Sequence, residues 1–319
     1  MTPRASRPQW TDTDIPDQSG RTVLVTGATA GLGLRTATVL ARHGARVLLG
    51  GRNPERASAA MEQVAAAATG AAPDVIAMDL ADLGSVRKAA AAVRERTGDR
   101  LDVLVNNAGI MAPPLTFSVD GYESQWATNH LGHAALSWLL YPALQDTADA
   151  RIVTVSSVAA RVARRDSPAT LATHARGEHY LAAGAYARSK LANLVFAIEL
   201  HRRLQAAGST VISIAAHPGV SSTNLASGMK RGERNLIDRT TNFGIGLLGQ
   251  STERGALPQL YAATAPGVHS GDYLGPSGLG QFRGAPTLLR ASKAARDERL
   301  AAALWLLTAE QTGVEPQPG

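Results

Sequence analysis

The segment that most constrains this chain is Thr22–Gly33, with the sequence TVLVTGATAGLG. A run of β-branched and aliphatic residues leads into three glycines, and from Leu34 the apolar residues recur at helical spacing. Glycines at such a turn let the chain reverse sharply and bring its backbone close to an anion, beside the positive end of the helix dipole. The segment predicts a pyrophosphate site, although a glycine turn without a ligand would look similar. The predicted cofactor contacts are Gly27, Thr29, Gly31, Leu32 and Gly33.

Strand and helix patterns alternate beyond this turn. Predicted strands cover residues 45–49, 74–78, 101–105, 151–156 and 210–216. Predicted helices cover 54–68, 83–97, 120–144, 185–204, 253–263 and 293–307, while 161–181 fits no element. Aliphatic strands in β-α-β order predict an α/β, doubly wound Rossmann fold, a parallel sheet with helices on both faces, in a single domain. We divide the chain into a polar N-terminal arm (1–19), one dinucleotide-binding and catalytic domain (20–312) with an irregular substrate-side region (220–290), and a Pro-rich tail (313–319).

Composition and charge exclude several classes of protein. The chain has no cysteine, which excludes disulfides and thiolate metal sites, and its eight histidines are scattered, so no metal site is expected. No stretch approaches the ~20 uninterrupted apolar residues of a membrane helix, and the first nineteen residues lack a signal-peptide core. We therefore expect a cytoplasmic protein. The net charge is +6, but arginines are interleaved with acids and aromatic residues make up only 4%, so no nucleic-acid binding is expected.

The second strand ends in Gly51, Arg52 and Asn53. An NAD-specific site usually carries an acid here, whose carboxylate holds the ribose hydroxyls and repels a 2′-phosphate. Gly51 stands in place of that acid, and the guanidinium of Arg52 can grip a phosphate with paired hydrogen bonds. The residues favour NADP(H) over NAD(H), with Arg52 and Asn53 as cofactor contacts, unless Arg52 is an ordinary surface arginine.

Two further strand ends carry residues suited to a cofactor. Asp79, followed by Leu80, ends the third strand, and its carboxylate can accept a hydrogen bond from an adenine amino group or cap the next helix. The fourth strand runs into Asn106, with Ala108 and Gly109 behind it. Amides there can bridge neighbouring strands and small residues leave room for a cofactor, although asparagine pairs are also common in turns. We predict cofactor contacts at all five positions.

The clearest catalytic pattern is Tyr186-x-x-x-Lys190. Residues four apart on a helix project from one face, so the phenol and the ammonium lie side by side. A nearby ammonium favours the phenolate, and lowering the tyrosine pKa by about three units requires ~4 kcal/mol of differential interaction. The same spacing also arises in surface helices, where the lysine simply extends to water along a half-buried tyrosine.

Two more polar residues lie at positions that suggest a functional role. Ser157 follows the strand that ends near residue 156, where a hydroxyl can hydrogen-bond a substrate oxygen, or can simply close the strand. Asn129 lies inside a predicted helix against its intrinsic propensity. Such local violations tend to mark functional positions, so both residues become candidates.

Together these residues resemble the short-chain dehydrogenase/reductase family in its tyrosine-dependent form, over nearly the whole chain. The resemblance is carried by the glycine turn, the segment Asn106–Gly109, and the spacing of Tyr186 and Lys190. The sequences around Asn129-His130-Leu131-Gly132-His133, Ser189–Asn193 and Phe282–Pro286 are similar to members related to retinol dehydrogenases and protochlorophyllide reductases. Ser157 and Tyr186 are 29 residues apart, a longer spacing than in many members, because of an insertion at 161–181 that is typical of this subgroup.

The resemblance implies a role for each matched residue. Tyr186 is the general acid/base, and Lys190 both lowers the tyrosine pKa and holds the nicotinamide ribose. Ser157 orients the carbonyl oxygen, and Asn129 holds a water in a proton relay toward Lys190. The segment at 217–219 with residue 223 flanks the nicotinamide. The resemblance adds five cofactor contacts, which are Pro218, Gly219, Thr223, Tyr186 and Lys190.

We therefore predict an NADP(H)-dependent oxidoreductase that moves a hydride between the nicotinamide and a carbonyl or alcohol carbon. Its expected partner is a bulky, largely apolar small molecule, because the positions expected near the nicotinamide and the stretch 242–248 are apolar. Arg164, Arg165 or Lys230 at the rim can still bind an acidic tail. Two alternatives stay open: reduction of a carbon–carbon double bond, and a non-catalytic NADP-binding sensor. No membrane span is expected, and a homo-oligomer is compatible with the sequence.

Overall fold

A computed structural model describes residues 9–163, 167–220 and 250–318. Within these residues the strands are β1 (Thr22–Thr26), β2 (Arg46–Gly51), β3 (Asp74–Ala77), β4 (Val103–Asn106), β5 (Arg151–Val155), β6 (Ile212–Ala216), β7 (Tyr273–Pro276) and β8 (Pro286–Leu288). They form one sheet in the order β3-β2-β1-β4-β5-β6-β7-β8. The neighbours from β3 to β7 pair in parallel, and β8 pairs antiparallel with β7.

The helices that cover this sheet are α1 (Gly31–Arg42), α2 (Pro54–Ala67), α3 (Leu83–Thr97), α4 (Ser124–Trp126), α5 (Gly132–Gln145), α6 (Pro168–Ala175), α7 (Ala182–Ala206), α8 (Thr252–Thr264) and α9 (Glu298–Thr312). Side-chain caps begin many of them, because the first N–H groups of a helix lack internal partners. Asn53 accepts a hydrogen bond from the backbone of Arg56, and Asp82 accepts one from Ser85. No helix in the described ranges combines the length and the apolar character needed to cross a bilayer.

Two apolar layers sandwich the sheet. Alternate residues of a strand face opposite sides, so Leu24 and Leu104 join one buried cluster with α3 and α5. Val23 and Val105 join the opposite cluster with α1 and α8. Both faces are therefore covered, which confirms the doubly wound Rossmann fold in a single domain.

The edge of the sheet adds strands that the prediction did not assign. β8 runs antiparallel to β7, with Leu274 opposite Leu288, beside a sheet that is otherwise parallel as predicted. A hairpin-like return needs no crossover helix, which explains how a strand of three residues follows a glycine-rich segment. Pro286 begins this edge strand, a position where the missing N–H costs no ladder bond.

Three helical predictions need correction. Residues 168–175, assigned to no element, form α6, and Ser167 caps it by accepting the Thr170 N–H at 3.1 Å. The last helix was predicted over 293–307 but runs from 298 to 312, because Asp297 accepts the N–H groups of the first turn. The long helix predicted over 120–144 begins only at residue 124, and a π turn (Ala127–Leu131) lies between α4 and α5. Strand ends otherwise differ by one or two residues, which is the usual uncertainty.

Candidate active site

The glycine turn connects β1 to α1. Gly27 and Gly31 have φ angles of +64° and +54°, in the left-handed region that favours glycine. A Cβ on Gly33 would fall on the carbonyl of Gly27 and press on the side-chain amide of Asn107. Ala30, at the N-cap of α1, has no polar side chain, so the first N–H groups of this helix receive no side-chain cap from it. The turn thus has the open backbone donors and close packing that an anion site needs.

The ends of β1 and β4 are bound together by hydrogen bonds. The hydroxyl of Thr26 accepts the N–H of Asn107 at 2.9 Å and that of Ala108 at 3.0 Å. The side-chain amide of Asn107 donates to the carbonyl of Thr26 at 2.8 Å. Asn106 is fully buried and donates to Ser137 at 2.8 Å. The predicted bridging by amides at this strand end is therefore present, although Asn107 rather than Asn106 makes the bridge between the strands.

Gly109 lies against the interior of the site. A Cβ added to it would come 3.2 Å from Asn129 Oδ1 and 3.3 Å from Lys190 Nζ. A larger residue would enter the space where these two polar groups meet. A side chain at this position would therefore press on these two groups and shift them by a few tenths of an ångström.

The end of β2 is the exposed part of the site. Arg52 Nη1 lies 3.8 Å from Asp79 Oδ2, and the two side chains are 66% and 38% exposed. The amide of Asn53 caps α2, and Asp79 Oδ1 accepts the N–H of Ala81 at 3.0 Å. The alternative in which Asp79 caps the next helix is wrong, because Asp82 does so. The charges of Arg52 and Asp79 remain accessible to a ligand.

Asn129 lies in the π turn. Its Oδ1 accepts the N–H of Ile110 at 2.9 Å, while its Nδ2 donates to the carbonyl of Ile110 at 3.0 Å and to Ser189 Oγ at 2.9 Å. Ser189 in turn donates to the carbonyl of Tyr186 at 2.8 Å. Both amide hydrogens are therefore used by the protein itself, and the Asn129 side chain joins the loop after β4 to α7.

A buried carboxylate fixes the start of this helical region. Glu123 accepts the N–H groups of Gln125 at 2.8 Å and Trp126 at 2.9 Å. Burial raises the pKa of Glu123, and these hydrogen bonds oppose that rise because they favour the carboxylate. The π turn then continues with the Gly132 N–H bonded to the carbonyl of Ala127. Pattern reasoning did not find Glu123.

Ser157 and Tyr186 form the second part of the interior. Ser157 follows β5 directly, and its hydroxyl accepts the N–H of Ala159 at 3.2 Å. Tyr186 is half-buried on α7, and its phenol lies close enough to the Ser157 side chain for the two to interact. Burial raises the pKa of the Tyr186 phenol, and the interaction with Ser157 opposes this rise. The sequence analysis expects a lowered pKa for Tyr186, whereas burial by itself raises it.

Lys190 is the buried cation of the site. Its Nζ donates to the carbonyl of Val155 at 3.0 Å, and the same carbonyl accepts Asn193 Nδ2 at 3.3 Å. The backbone carbonyl of Lys190 accepts the hydroxyl of Ser156 at 2.7 Å. Burial lowers the pKa of Lys190 to about 8, so the side chain is still mostly protonated at neutral pH.

The segment after β6 closes the site on the other side. Gly219 has a φ of +70°, and a Cβ there would fall on the carbonyl of Phe282. Gln250 Nε2 donates to the carbonyl of Pro218 at 2.7 Å, and Val220 N donates to Phe282 O at 2.9 Å. The Phe282 loop therefore packs directly on Pro218 and Gly219. Thr223, Arg164, Arg165, Lys230 and the stretch 242–248 lie outside the described residues.

Comparison with known proteins places this arrangement in a family. The family model described as short chain dehydrogenase matches residues 21–234, about two thirds of the chain. The chain belongs to the short-chain dehydrogenase family. It is 38% identical to human retinol dehydrogenase 13 over 300 residues, which cover 93% of this chain and 86% of that protein. It is 36% identical to mouse polyprenol dehydrogenase, covering 94% and 86% of the two chains.

A solved structure extends the comparison to the whole fold. An uncharacterised protein from Mycobacterium paratuberculosis matches with a TM-score of 0.78 and 39% identity, over 97% of this chain and 99% of that one. The family resemblance, including the likeness to retinol dehydrogenases, is thus confirmed. The chain is an oxidoreductase of the short-chain dehydrogenase family.

In this short-chain dehydrogenase, the predicted residues divide into two groups. Asn129, Ser157, Tyr186 and Lys190 meet in the interior, with Gly109 against two of them. Arg52 and Asn53 after β2 and Asp79 after β3 lie apart from this group, at the neighbouring ends of these two strands. Sequence reasoning missed residues that hold the first group in place. A polar side chain inside a helix was a partial signal for His133 and Ser189 only, because Thr26 ends β1 and Glu123 precedes α4. These missed residues are Thr26, Glu123, His133 and Ser189.

Proposed function

We propose that this chain is an NADP(H)-dependent oxidoreductase that transfers a hydride between the nicotinamide and a carbonyl or alcohol carbon of a bulky, largely apolar substrate. The observation that carries the proposal is that Ser157, Tyr186, Lys190 and Asn129 come together, with Asn129 linked to the Tyr186 backbone through Ser189 and with Gly109 against Asn129 and Lys190. This set follows the carboxyl ends of β4 and β5, which is where open α/β sheets bind their ligands.

The described residues fit both the pyrophosphate and the 2′-phosphate of NADP(H). The turn at Gly27–Gly33 offers backbone N–H groups at the start of α1, and Gly33 cannot carry a side chain without displacing backbone. Arg52 is exposed at the end of β2, and Gly51 provides no carboxylate that would repel a 2′-phosphate. We assign the pyrophosphate to the turn, the 2′-phosphate to Arg52 and the adenine to Asp79. When bound, NADP(H) supplies the hydride chemistry.

The protein supplies the proton and the orientation. In reduction, the Tyr186 hydroxyl donates its proton to the substrate oxygen, which is held by a hydrogen bond from Ser157. The phenolate left on Tyr186 is stabilised by the positive charge of Lys190 on the same face of α7. Oxidation reverses these proton transfers, with Tyr186 accepting the proton of the alcohol. Asn129 holds Ile110 and Ser189 beside this path and lies next to Lys190.

The substrate class follows from the side chains beside the reacting groups. Ile110 and Met111 after β4, and Val158 and Ala159 after Ser157, are half-buried and apolar. A small charged metabolite would need a fixed counter-charge there, whereas a ring system buried against aliphatic side chains gains about 25 cal/mol per Å². The names of the relatives, a retinol and a polyprenol dehydrogenase, support a large apolar alcohol or carbonyl compound.

The test is a substrate comparison with NADPH and NADH as alternative cofactors. We expect NADPH-dependent reduction of a polycyclic ketone to an alcohol, with a higher kcat/KM than for small keto acids. A clear preference for keto acids contradicts the substrate class, and saturation of an enone without alcohol formation contradicts carbonyl chemistry. Binding of NADPH without turnover of any ketone, aldehyde or enone would instead indicate a non-catalytic sensor.

A further inference from the structure

His133 is a buried histidine whose two ring nitrogens both have partners. It is 1% exposed and lies on α5, one turn beyond Asn129. Its Nδ1 lies 2.9 Å from the backbone carbonyl of Asn129, and its Nε2 lies 2.9 Å from the hydroxyl of Thr26. The imidazole thus spans the space between the end of β1 and the π turn.

The direction of these hydrogen bonds is fixed by chemistry. A backbone carbonyl can only accept, so Nδ1 carries the hydrogen and donates to Asn129. Burial lowers the pKa of His133 to about 3, so the ring is neutral and Nε2 bears no hydrogen. Nε2 must therefore accept, and the hydroxyl of Thr26 must donate to it. The Thr26 oxygen itself accepts the backbone N–H groups of Asn107 and Ala108.

The result is a directed chain of hydrogen bonds from the cofactor side to the catalytic side. It starts at the backbone after β4, passes through Thr26 next to the glycine turn, and ends on the Asn129 carbonyl. A second link supports the same helix turn, since Asn106 donates to Ser137 and Ser137 donates to the carbonyl of His133, both at 2.8 Å. His133 is thus the side chain that connects the two strand ends to the π turn.

We propose that His133 is a positioning residue whose Nδ1–H holds the Asn129 carbonyl, and through it the Asn129 amide, beside the reacting groups, while the Thr26 hydroxyl fixes the tautomer that makes Nδ1 the donor. The proposal rests on the proposed function, because it assigns Asn129 to the reaction. In a regular α-helix that carbonyl would be held by the helix ladder alone, but the π turn alters the ladder at this point. The imidazole supplies an additional donor there.

His130 provides the matched comparison. His130 is also buried and lies in the π turn, three residues before His133. Burial lowers the pKa of His130 to about 4. Its Nε2, however, bonds Thr308 on α9 at 2.9 Å, away from the strand ends. Replacing His130 therefore disturbs the packing of the same helix without disturbing the chain of hydrogen bonds through Thr26.

Two variants test the hydrogen bonds of the two ring nitrogens separately. His133→Asn places an amide donor near the former Nδ1 and retains the bond to Asn129, while His133→Gln places an acceptor near the former Nε2 and retains only the bond to Thr26. For the full chain saturated with NADPH, we expect kcat to fall about tenfold in His133→Gln, the effect of one lost orienting hydrogen bond. We expect His133→Asn to stay within about threefold of the wild type, and NADPH affinity to change less than about threefold in both.

A double-mutant cycle tests the route of action. If His133 acts through Asn129, the His133→Gln loss in kcat disappears in the Asn129→Ala background, because the two changes remove one effect. His130→Gln is the control and should leave kcat unchanged. Equal kcat losses in the Asn and Gln variants, or a Gln loss that persists without Asn129, would overturn the proposal.

Two further measurements keep the result interpretable. Nitrogen-15 NMR of the wild-type chain should show His133 as the neutral Nδ1–H tautomer from pH 5 to 9, and an Nε2–H tautomer overturns the proposal even if a variant fails to fold. Tyr186→Phe assayed in parallel tests the proposed function itself. If that variant keeps wild-type turnover, the assigned chemistry fails, independently of what the His133 variants show.

Discussion

The two ends of the candidate site are built in opposite ways. At the ends of β2 and β3, Arg52 and Asp79 are exposed and their charged atoms are 3.8 Å apart, so each side chain can rearrange in water. In the interior, Asn129, Ser189 and Lys190 are almost fully buried and their hydrogen bonds measure 2.7–3.0 Å. The first end presents accessible charge; the second presents fixed geometry.

This difference separates selectivity from chemistry. A surface guanidinium gains little from Asp79 in high dielectric, so its charge is available for a phosphate. A buried group with satisfied hydrogen bonds is already oriented, so no reorganisation is needed when charge develops during a reaction. We expect substitutions at the exposed end to change which cofactor binds, and substitutions in the interior to change how fast a bound substrate reacts.

The largest effect should come from Tyr186→Phe. The variant keeps the apolar ring and loses only the hydroxyl, so the fold and NADPH binding should persist while kcat falls roughly a hundredfold or more, as for a removed general acid. The measurement is single-turnover reduction of an active ketone with saturating NADPH. Turnover close to the wild type, with chemistry shown to be rate-limiting, would contradict the assigned role.

Lys190 lies in the same interior part of the site as Tyr186, and its replacement should affect both turnover and cofactor binding. Lys190→Ala removes the buried charge and should reduce both kcat and NADPH affinity, whereas Tyr186→Phe should reduce kcat alone. Stopped-flow turnover and calorimetric NADPH binding separate the two patterns. Unchanged NADPH affinity in Lys190→Ala would mean that the lysine does not contact the cofactor.

Arg52→Ala tests the exposed end. Losing a charge-assisted phosphate contact should weaken NADPH binding by about 1.5–3 kcal/mol and leave NADH binding nearly unchanged. Because the contact is exposed, the difference between NADPH and NADH should shrink as salt increases. The control is Arg100→Ala, an exposed arginine just before β4, at the amino ends of the strands and so opposite the carboxyl end of β2. Equal weakening of both cofactors would refute the selective role.

The smallest effect concerns the stability of the buried interior in acid. Burial lowers the pKa of His130 from 6.5 to about 4, so the unfolded chain takes up a proton that the folded chain excludes. Stability is complete above pH 6.5 and is lost as the pH falls toward 4, by about 2 kcal/mol for one such histidine at pH 5. Urea unfolding at pH 7.5 and 5 should show a smaller acid loss in His130→Gln than in the wild type.

The control for His130→Gln is a variant of a surface histidine. His269 is exposed, so water can solvate its ring in the folded chain as in the unfolded one. His269→Gln should therefore leave the acid loss of the wild type unchanged. An acid loss equally reduced in both variants would show that the buried ring is not the source.

Local patterns were enough for most of the fold. The glycine turn and the aliphatic strands gave β1–β6 because each signal lies within a few neighbouring residues. The helix α6 was missed although its start signal, Ser167-Pro168, was present in the sequence. The edge strand β8 has only three residues, and its pairing with β7 depends on contacts that no local pattern shows.

The site was predictable as a set of residues but less so as a set of contacts. Tyr186 and Lys190 were found because their spacing is local. The bond of Lys190 to Val155 and that of Thr26 to His133 join residues 35 and 107 positions apart, and only the tertiary fold brings them together. The roles of the site residues stay predictions until the variants are measured.

The π turn also has a consequence for how this chain can change in length. Gly132, just beyond the turn, lies so close to the backbone of Leu80 that a Cβ would fall on its carbonyl. A π turn contains one residue more than the α turn it replaces, and its hydrogen bond joins residues five apart, as from Gly132 to Ala127. Deleting one residue from Ala127–Leu131 would therefore restore a regular helix and leave Gly132 against Leu80 and His133 near Thr26. The deletion would instead change the turn itself, where Asn129 bonds Ile110 and Ser189. The extra residue thus serves the site and not the packing of the helix.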